Sequence, residues 1–473
     1  MQPVTRLFER LYSGVADNGK LRYIRLINIF ASSGPPVSRI DYEVGSMMNI
    51  REEAHKMKLS SPVLAATSKD VRNGALLAAA KALEENKEEI FAANRLDLEN
   101  AEKNGISGAV IKRLKFDEGK LVSVIEGLHQ LAALPDPIGK VQIMREMDSD
   151  LVMKRVSCPI GVIGVIFEAR PDALVQISSL CIKSGNCAIL KGGKETAETN
   201  RKLFSVIHKS VTEAGLPESC LLQAELHNEI DELLRCDRDV DLLIPRGSNR
   251  FVRYIMDNTK IPVMGHADGI CHIYVDKDCD FEKAIPVIID AKCQYTAACN
   301  AVETLLVNRE IAGEFLPKVK AALDAAGVKI RGTEEVSKFI PCEIMGEDDF
   351  ATEYLELVIS VKLVADVKEA CEHINRFGSH HTDSILTEND ETAAYFMQMV
   401  DSAGVYRNIS TRFADGFRYG FGAEVGISTG KIHARGPVGL EGLMTYKYLI
   451  SGDGHIVGDY AEGRRAFHFK DLM

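Results

Sequence analysis

The sequence predicts an α/β protein built on doubly wound parallel sheets, and four stretches carry that prediction. Residues 160–167, IGVIGVIF, are a near-continuous apolar run, as strands buried on both faces are. A loop and a helix follow in EARPDALVQISSLCIKSGN, with Pro171 near the helix start and Gly185-Asn186 at its end. CAILKGG then reads as the next strand, closing on Lys191. Downstream, DVDLLIPRGSNRFVRYIMDNT repeats the pattern: an apolar strand at 242–244, the turn Arg246-Gly247-Ser248, and a helix. Strands alternating with helices pack as parallel sheets, whose ligands bind at the carboxyl ends of the strands.

The other elements fall into order around these. Residues 1–46 mix Arg6, Arg10, Lys20, Arg22, Arg25 and Arg39 with acids and end in SSGPP before a turn-like stretch. They lack the small-residue cleavage site of a secretory leader. They are expected to be a poorly ordered extension that adds no chemistry. From Thr67 the pattern turns helical: Ser68 can cap, and Val71, Ala75, Leu76, Ala79, Leu83 and Ile90 recur near a 3.6-residue period. Asn104-Gly105 stops the next helix, and a further one over 117–133 ends at Pro135-Asp136-Pro137. KVQIMREM and LVMKRVS read as two strands joined at Asp148-Ser149-Asp150. An isolated hairpin is marginal in water, so this one needs a surface to pack against, such as the edge of its own domain. Later, a helix is expected over 311–327, a strand in EYLELVISVKLV starting at Glu353, and another in HHTDSILTEN.

Composition narrows the function. A chain of 473 residues is long enough for two or three domains with ample core. Its 46% hydrophobic and 26% charged residues are those of a soluble globular protein. A net charge of −11 without a long basic run argues against a nucleic-acid partner. An anionic substrate then needs a local basic pocket. No apolar run approaches the ~20 residues that span a bilayer. The 11 cysteines are scattered without C-x-x-C, which suits free thiols in a reduced, cytoplasmic compartment.

One stretch, AKCQYTAACNAVETLLV, carries candidate chemistry. Cys299 lies between Ala298 and Asn300, and small neighbours leave room for a carbonyl to reach its sulfur. A merely packed thiol is the alternative. Gly247-Ser248 at a helix start offers free N–H groups to an anion. Between 407 and 435, glycines interleave with Arg407, Arg412, Arg418, Lys431, His433 and Arg435, as an anion-binding loop requires. Adjacent His380 and His381 point different ways on an extended chain, no cluster has zinc-like spacing, and no metal is expected.

The run from His266 to Val307 resembles the active-site region of the γ-glutamyl phosphate reductases, or glutamate-5-semialdehyde dehydrogenases, of the aldehyde dehydrogenase superfamily. FEARPDALVQ, LKGGKE, LIPRGSNRFVRYI, HHTDSILTEN and GAEVGISTGKIHARGPVGLEGLMTYKY carry the resemblance over about residues 48 to 460. It implies an aldehyde dehydrogenase-like fold, two doubly wound α/β domains plus a β-hairpin for oligomerisation. The implied division is an extension (1–46), an NADP-binding domain (48–139 and 159–273), a catalytic domain (274–435), and an oligomerisation hairpin with a C-terminal segment (140–158 and 436–473). A homo-oligomer is implied.

The activity implied is reduction of L-glutamyl 5-phosphate to L-glutamate 5-semialdehyde by NADPH, through a thioester on Cys299, in proline biosynthesis. The backbone N–H of Cys299 would be an oxyanion donor. Arg170 stands where aldehyde dehydrogenases place an oxyanion-hole Asn. The superfamily holds its dinucleotide without a G-x-G-x-x-G fingerprint, and Lys191, Gly247, Ser248 and Glu353 match its contacts. Lys194 stands where NAD-preferring relatives carry an acid, so it is either a 2′-phosphate ligand selecting NADPH/NADP or a solvated lysine beside Glu195. Asn300, Arg412 and Arg435 are the substrate-side candidates. No acid stands at the position, near Gly265 or His266, where aldehyde-oxidising relatives activate water. His266 is a substrate contact or an ordinary loop residue. A related acyl-phosphate or acyl-CoA reductase and a non-catalytic scaffold are the alternatives. A glutamate 5-kinase is a plausible partner, because the acyl phosphate is labile.

Overall fold

A computed structural model describes the strand backbones Tyr12–Asp17 and Lys20–Arg25, and residues 49–473 except 227 and 267. The two early strands pair antiparallel, Tyr12 opposite Arg25 and Asp17 opposite Lys20. The rest of the expected extension, 1–46, lies outside the described residues.

From Asn49 onward, helices cover a four-stranded parallel sheet. Its strand order is Leu221–Ala224, Cys187–Lys191, Val162–Phe167, Leu242–Arg246. Strand succession runs outward from Val162–Phe167 in one direction, then returns to its other side. That reversal opens a crevice at the carboxyl ends of Val162–Phe167 and Leu242–Arg246, the place such sheets bind ligands. Pro171–Ser184 follows the central strand and ends at Gly185, whose φ of 73° supplies the left-handed cap. Lys69–Glu85 starts where expected, Ser68 accepting from the Val71 N–H at 3.4 Å. Ala75, Leu76, Ala79, Leu83 and Ile90 are buried, whereas Val71 is on the surface.

An unanticipated helix, Ile50–Ala66, precedes these. Its buried stripe of Ile50, Ala54, Met57, Ser61 and Leu64 includes small and polar members, and Pro62 interrupts it, which blurred the periodicity. Val425, Ala434, Val438, Leu440 and Leu443, far along the chain, return to this first core.

A seven-stranded parallel sheet forms the second layer system. Its order is Glu343–Ile344, Lys329–Gly332, Val358–Val364, Val302–Asn308, Cys271–Val275, Thr382–Leu386, Gly404–Arg407. The expected strand from Glu353 begins only at Val358. Leu355 is left-handed with a φ of 56°, which breaks the extended chain and leaves Glu353 in a loop.

The hairpin Val141–Asp148 and Leu151–Pro159 joins Met444–Ser451 and Lys470–Asp471 in an antiparallel sheet. Tyr446, Tyr448, Leu449 and Ile450 on its edge strand are exposed, a surface that invites a partner. Among the described residues no helix is long and apolar enough to cross a membrane.

Candidate active site

Three loops at the amino ends of adjacent strands of the large sheet converge on Cys299. The strand Cys271–Val275 lies between Val302–Asn308 and Thr382–Leu386. The segments before these three strands, 266 with 268–270, 299–301 and 380–381, are therefore neighbours. Gly269 lets them close: a Cβ there would lie 2.1 Å from the Cys299 carbonyl oxygen.

The Cys299 loop is stretched between Phe281–Cys293 and Val302–Asn308. Lys292 ends the helix and Glu303 begins the strand, and they meet in an ion pair of 2.6 Å with both side chains almost fully buried. Glu303 also accepts from the Leu355 N–H at 3.4 Å. Burial nonetheless raises the Glu303 carboxyl above its ordinary range, against the pull of Lys292. The pair closes the base of the loop.

At the tip, Cys299 Sγ lies 3.2 Å from His381 Nε2. His381 Nδ1 is 2.9 Å from the Thr382 hydroxyl. With Nδ1 donating to that hydroxyl, Nε2 is free to accept the thiol proton. The His266 ring stands edge-on to His381, centroids 4.9 Å apart at 83°. Its Nδ1–H donates to the Ile427 carbonyl at 2.8 Å. Burial pushes His266 below its usual value, so it is neutral at pH 7. Among the described residues the N–H groups of Cys299 and Asn300 bond to no other protein group, leaving them open to an oxyanion. Burial pushes the thiols of Cys181 and Cys220 up to about 12, and that of neighbouring Cys271 well up, which suits packing and not nucleophilicity.

Cationic groups surround this pair. Arg246 ends the strand Leu242–Arg246, paired there with Phe167, and its guanidinium makes no ion pair or hydrogen bond among the described residues. Burial and the charge of Arg170 both disfavour its charged form, while the Cys299 and Glu424 charges favour it. An unpaired guanidinium so placed is a vacancy for an anion. Arg170 caps the neighbouring helix with an exposed side chain. Arg412 is 8% exposed, and its Nε donates to Gln294 at 2.9 Å. Its terminal nitrogens have no partner among the described residues. Arg435 is instead engaged by Asp401 at 3.1 Å, beside Lys431. Asn300 is buried, and its Nδ2 donates to the Ala414 carbonyl at 2.8 Å, tying the cysteine loop to the Arg412 segment.

The carboxyl edge of the small sheet faces this cleft and fits a dinucleotide. Ser248 makes no side-chain cap on the helix Asn249–Asp257, and although the Phe251 N–H bonds to the Ser248 carbonyl, the Asn249 and Arg250 N–H groups stay open to a phosphate. A Cβ on Gly247 would meet the Glu168 carboxyl carbon at 2.9 Å, so a larger residue there would push the Glu168 side chain aside. Lys191 is almost buried, its Nζ 2.7 Å from the Gly192 carbonyl. Lys194 is exposed and unpaired among the described residues, because Glu195 turns away to accept from the Ala169 N–H at 2.9 Å. Glu353 is partly buried and accepts from Asn249 at 2.5 Å.

His381 and Arg246 were not singled out from the sequence. The His381–Cys299 contact joins residues 82 apart, which no spacing discloses. For Arg246 a usable signal existed: an arginine ending an apolar parallel strand points to the ligand edge.

Known proteins agree with this architecture. The aldehyde dehydrogenase family matches residues 40–337. The γ-glutamyl phosphate reductase of Pelotomaculum thermopropionicum is 54% identical over 425 residues, covering 90% of this chain and 98% of its own. That of Acetivibrio thermocellus is 54% identical over 420 residues, covering 89% and 97%. The crystal structure of γ-glutamyl phosphate reductase from Thermotoga maritima superposes with a TM-score of 0.84 at 40% identity, covering 86% of this chain and 100% of that one.

Proposed function

Because the chain belongs to the γ-glutamyl phosphate reductases of the aldehyde dehydrogenase family, we propose that it reduces L-glutamyl 5-phosphate to L-glutamate 5-semialdehyde, releasing phosphate, with NADPH as reductant. This is the second step of proline biosynthesis from glutamate. The observation that carries the reading is the Cys299 thiol on the His381 imidazole at 3.2 Å, in a cleft lined by unpaired guanidinium groups.

His381 Nε2 takes the Sγ proton, and the thiolate attacks the acyl carbon. The C–S bond forms as the C–O bond to phosphate breaks, and phosphate leaves as an anion that needs no proton from the protein. Arg246 and Arg170 receive the phosphoryl group, and Arg412 the α-carboxylate. Arg412, only 8% exposed, acts with more force than a guanidinium in solvent would. The Cys299 N–H receives the oxyanion, and Asn300 fixes the loop that presents it. When bound, the nicotinamide supplies the two electrons that take the thioester to the aldehyde. Lys191, Gly247, Ser248 and Glu353 hold the dinucleotide, and Lys194 the 2′-phosphate. No carboxylate bonds to Cys299 or His381 among the described residues, so the acid that activates water in hydrolytic relatives has no counterpart bonded to this pair. A second copy of the chain covers the strand Met444–Ser451. A cytoplasmic setting suits the free thiols, and delivery from a glutamate 5-kinase suits so labile a substrate.

The reverse reaction tests this. Glutamate 5-semialdehyde in its cyclic form is expected to reduce NADP⁺ only when phosphate is present. Lys194→Glu should shift the NADP⁺/NAD⁺ preference by about 10–100-fold toward NAD⁺, the worth of one charge-assisted hydrogen bond. Reduction without phosphate would make the enzyme hydrolytic. A requirement for coenzyme A in place of phosphate would make it an acyl-CoA reductase.

A further inference from the structure

The side chains around the nucleophile also make a metal site. His266, Cys299 and His381 each offer a ligand atom, and these atoms lie within 4.8 Å of one another. We propose that this trio binds a thiophilic divalent cation, with Zn²⁺ the physiological candidate, and that the bound ion reversibly blocks Cys299. Nothing in the proposal depends on which acyl group the enzyme accepts.

Two imidazoles and a thiolate are the donor set zinc favours, and three protein ligands leave a fourth position open. Ideal bond lengths place tetrahedral ligand atoms roughly 3.3–3.6 Å apart. The thiol and His381 Nε2 already lie 3.2 Å apart. The His266 ligand atom lies within 4.8 Å of the other two, and binding must close that remaining distance. Outer contacts are those of a metal site as well. A ligating histidine usually donates its other ring N–H to a carbonyl or similar acceptor. His266 Nδ1 donates to the Ile427 carbonyl, and His381 Nδ1 faces the Thr382 hydroxyl. In both rings this leaves Nε2 for the metal. Against the site stand the charges of Arg246 and Arg412, both within electrostatic reach of Cys299. Loss of the thiol proton leaves a net single positive charge on the metal–thiolate pair, and an anion in the fourth position, such as phosphate, removes it.

In the balanced step, the Cys299 S–H bond breaks, its proton passes to buffer, and an S–metal bond forms with no change of oxidation state. Chelation reverses it. Cys299 is then hidden from electrophiles and from acyl phosphate alike.

The test titrates the full-length protein with Co²⁺, whose thiolate complexes absorb in the near ultraviolet. One equivalent is expected to give a thiolate-to-cobalt band and the visible bands of a four-coordinate ion. Zn²⁺ should displace it and slow alkylation of Cys299 by iodoacetamide at least 10-fold. Cys299→Ser should abolish the near-ultraviolet band. His266→Gln and His381→Gln should each weaken Co²⁺ binding at least about 10-fold, since losing merely the hydrogen-bond partner of a ligand typically costs that much. Far-UV circular dichroism checks each variant, and His266→Ala serves where the glutamine variant does not fold. A band that persists in Cys299→Ser, no band at millimolar Co²⁺, or zinc protection unchanged in both histidine variants would each overturn the proposal.

Discussion

Replacing His381 by alanine is expected to slow acyl transfer to Cys299 about 10²–10⁴-fold at pH 7, the usual worth of a positioned proton acceptor. The reason is local. The imidazole is the one basic nitrogen in hydrogen-bond reach of Sγ among the described residues, at 3.2 Å. Without it, no side chain within hydrogen-bond reach takes the thiol proton as the sulfur attacks. Alkylation of Cys299 by iodoacetamide should fall in parallel, since it needs the same thiolate. Added imidazole should restore part of both rates, which repair of a merely structural hole would not do. A change below about 3-fold, measured by single-turnover phosphate release, would remove His381 from the reaction.

Lys292→Met is expected to cost about 3–5 kcal/mol of stability, because it strands the Glu303 carboxylate in the core. Lys292 and Glu303 are 0% and 1% exposed, so water cannot replace the lost partner. The pH dependence has a definite sign. Burial raises the folded-state value of Glu303. A raised carboxyl contributes its full stability at low pH and loses it as pH climbs through the folded value. Removing the lysine raises that value further. The deficit of Lys292→Met should therefore be small near about pH 5 and large near about pH 8. Glu303→Leu in the same chain should recover much of it, since a buried pair replaced whole is often nearly neutral. Urea unfolding at both pH values measures all three chains. A deficit that does not grow with pH would mean that Glu303 finds another partner.

The sheets were legible because each strand announces itself over a few residues. IGVIGVIF, CAILKGG and the run ending in Arg246 are apolar, short and followed by turn residues, and all three are strands. What defeats such reading is anything set by two distant segments. Glu353 looks like the start of a strand, yet a left-handed Leu355 and a contact to Asn249 hold it in a loop. Arg435 sits in a basic, glycine-rich run that suggests a substrate ligand, but Asp401 already occupies it. Arg412, from the same run, keeps its terminal nitrogens open. Local sequence does not separate these two arginines, because the difference lies in which carboxylate the fold brings alongside. The same holds for His381, whose role depends on the strand order that seats Cys271–Val275 between its own strand and that of Cys299.

The central claim is that Cys299 takes the acyl group before any reduction occurs, and phosphate release without nicotinamide tests it most directly. Mixing the protein with freshly made L-glutamyl 5-phosphate, with no cofactor present, should release a rapid burst of one phosphate per active site and then stop. Cys299→Ser should show no burst. Phosphate released only once NADPH is added, or a burst that survives in Cys299→Ser, would contradict the thioester and the role assigned to this cysteine.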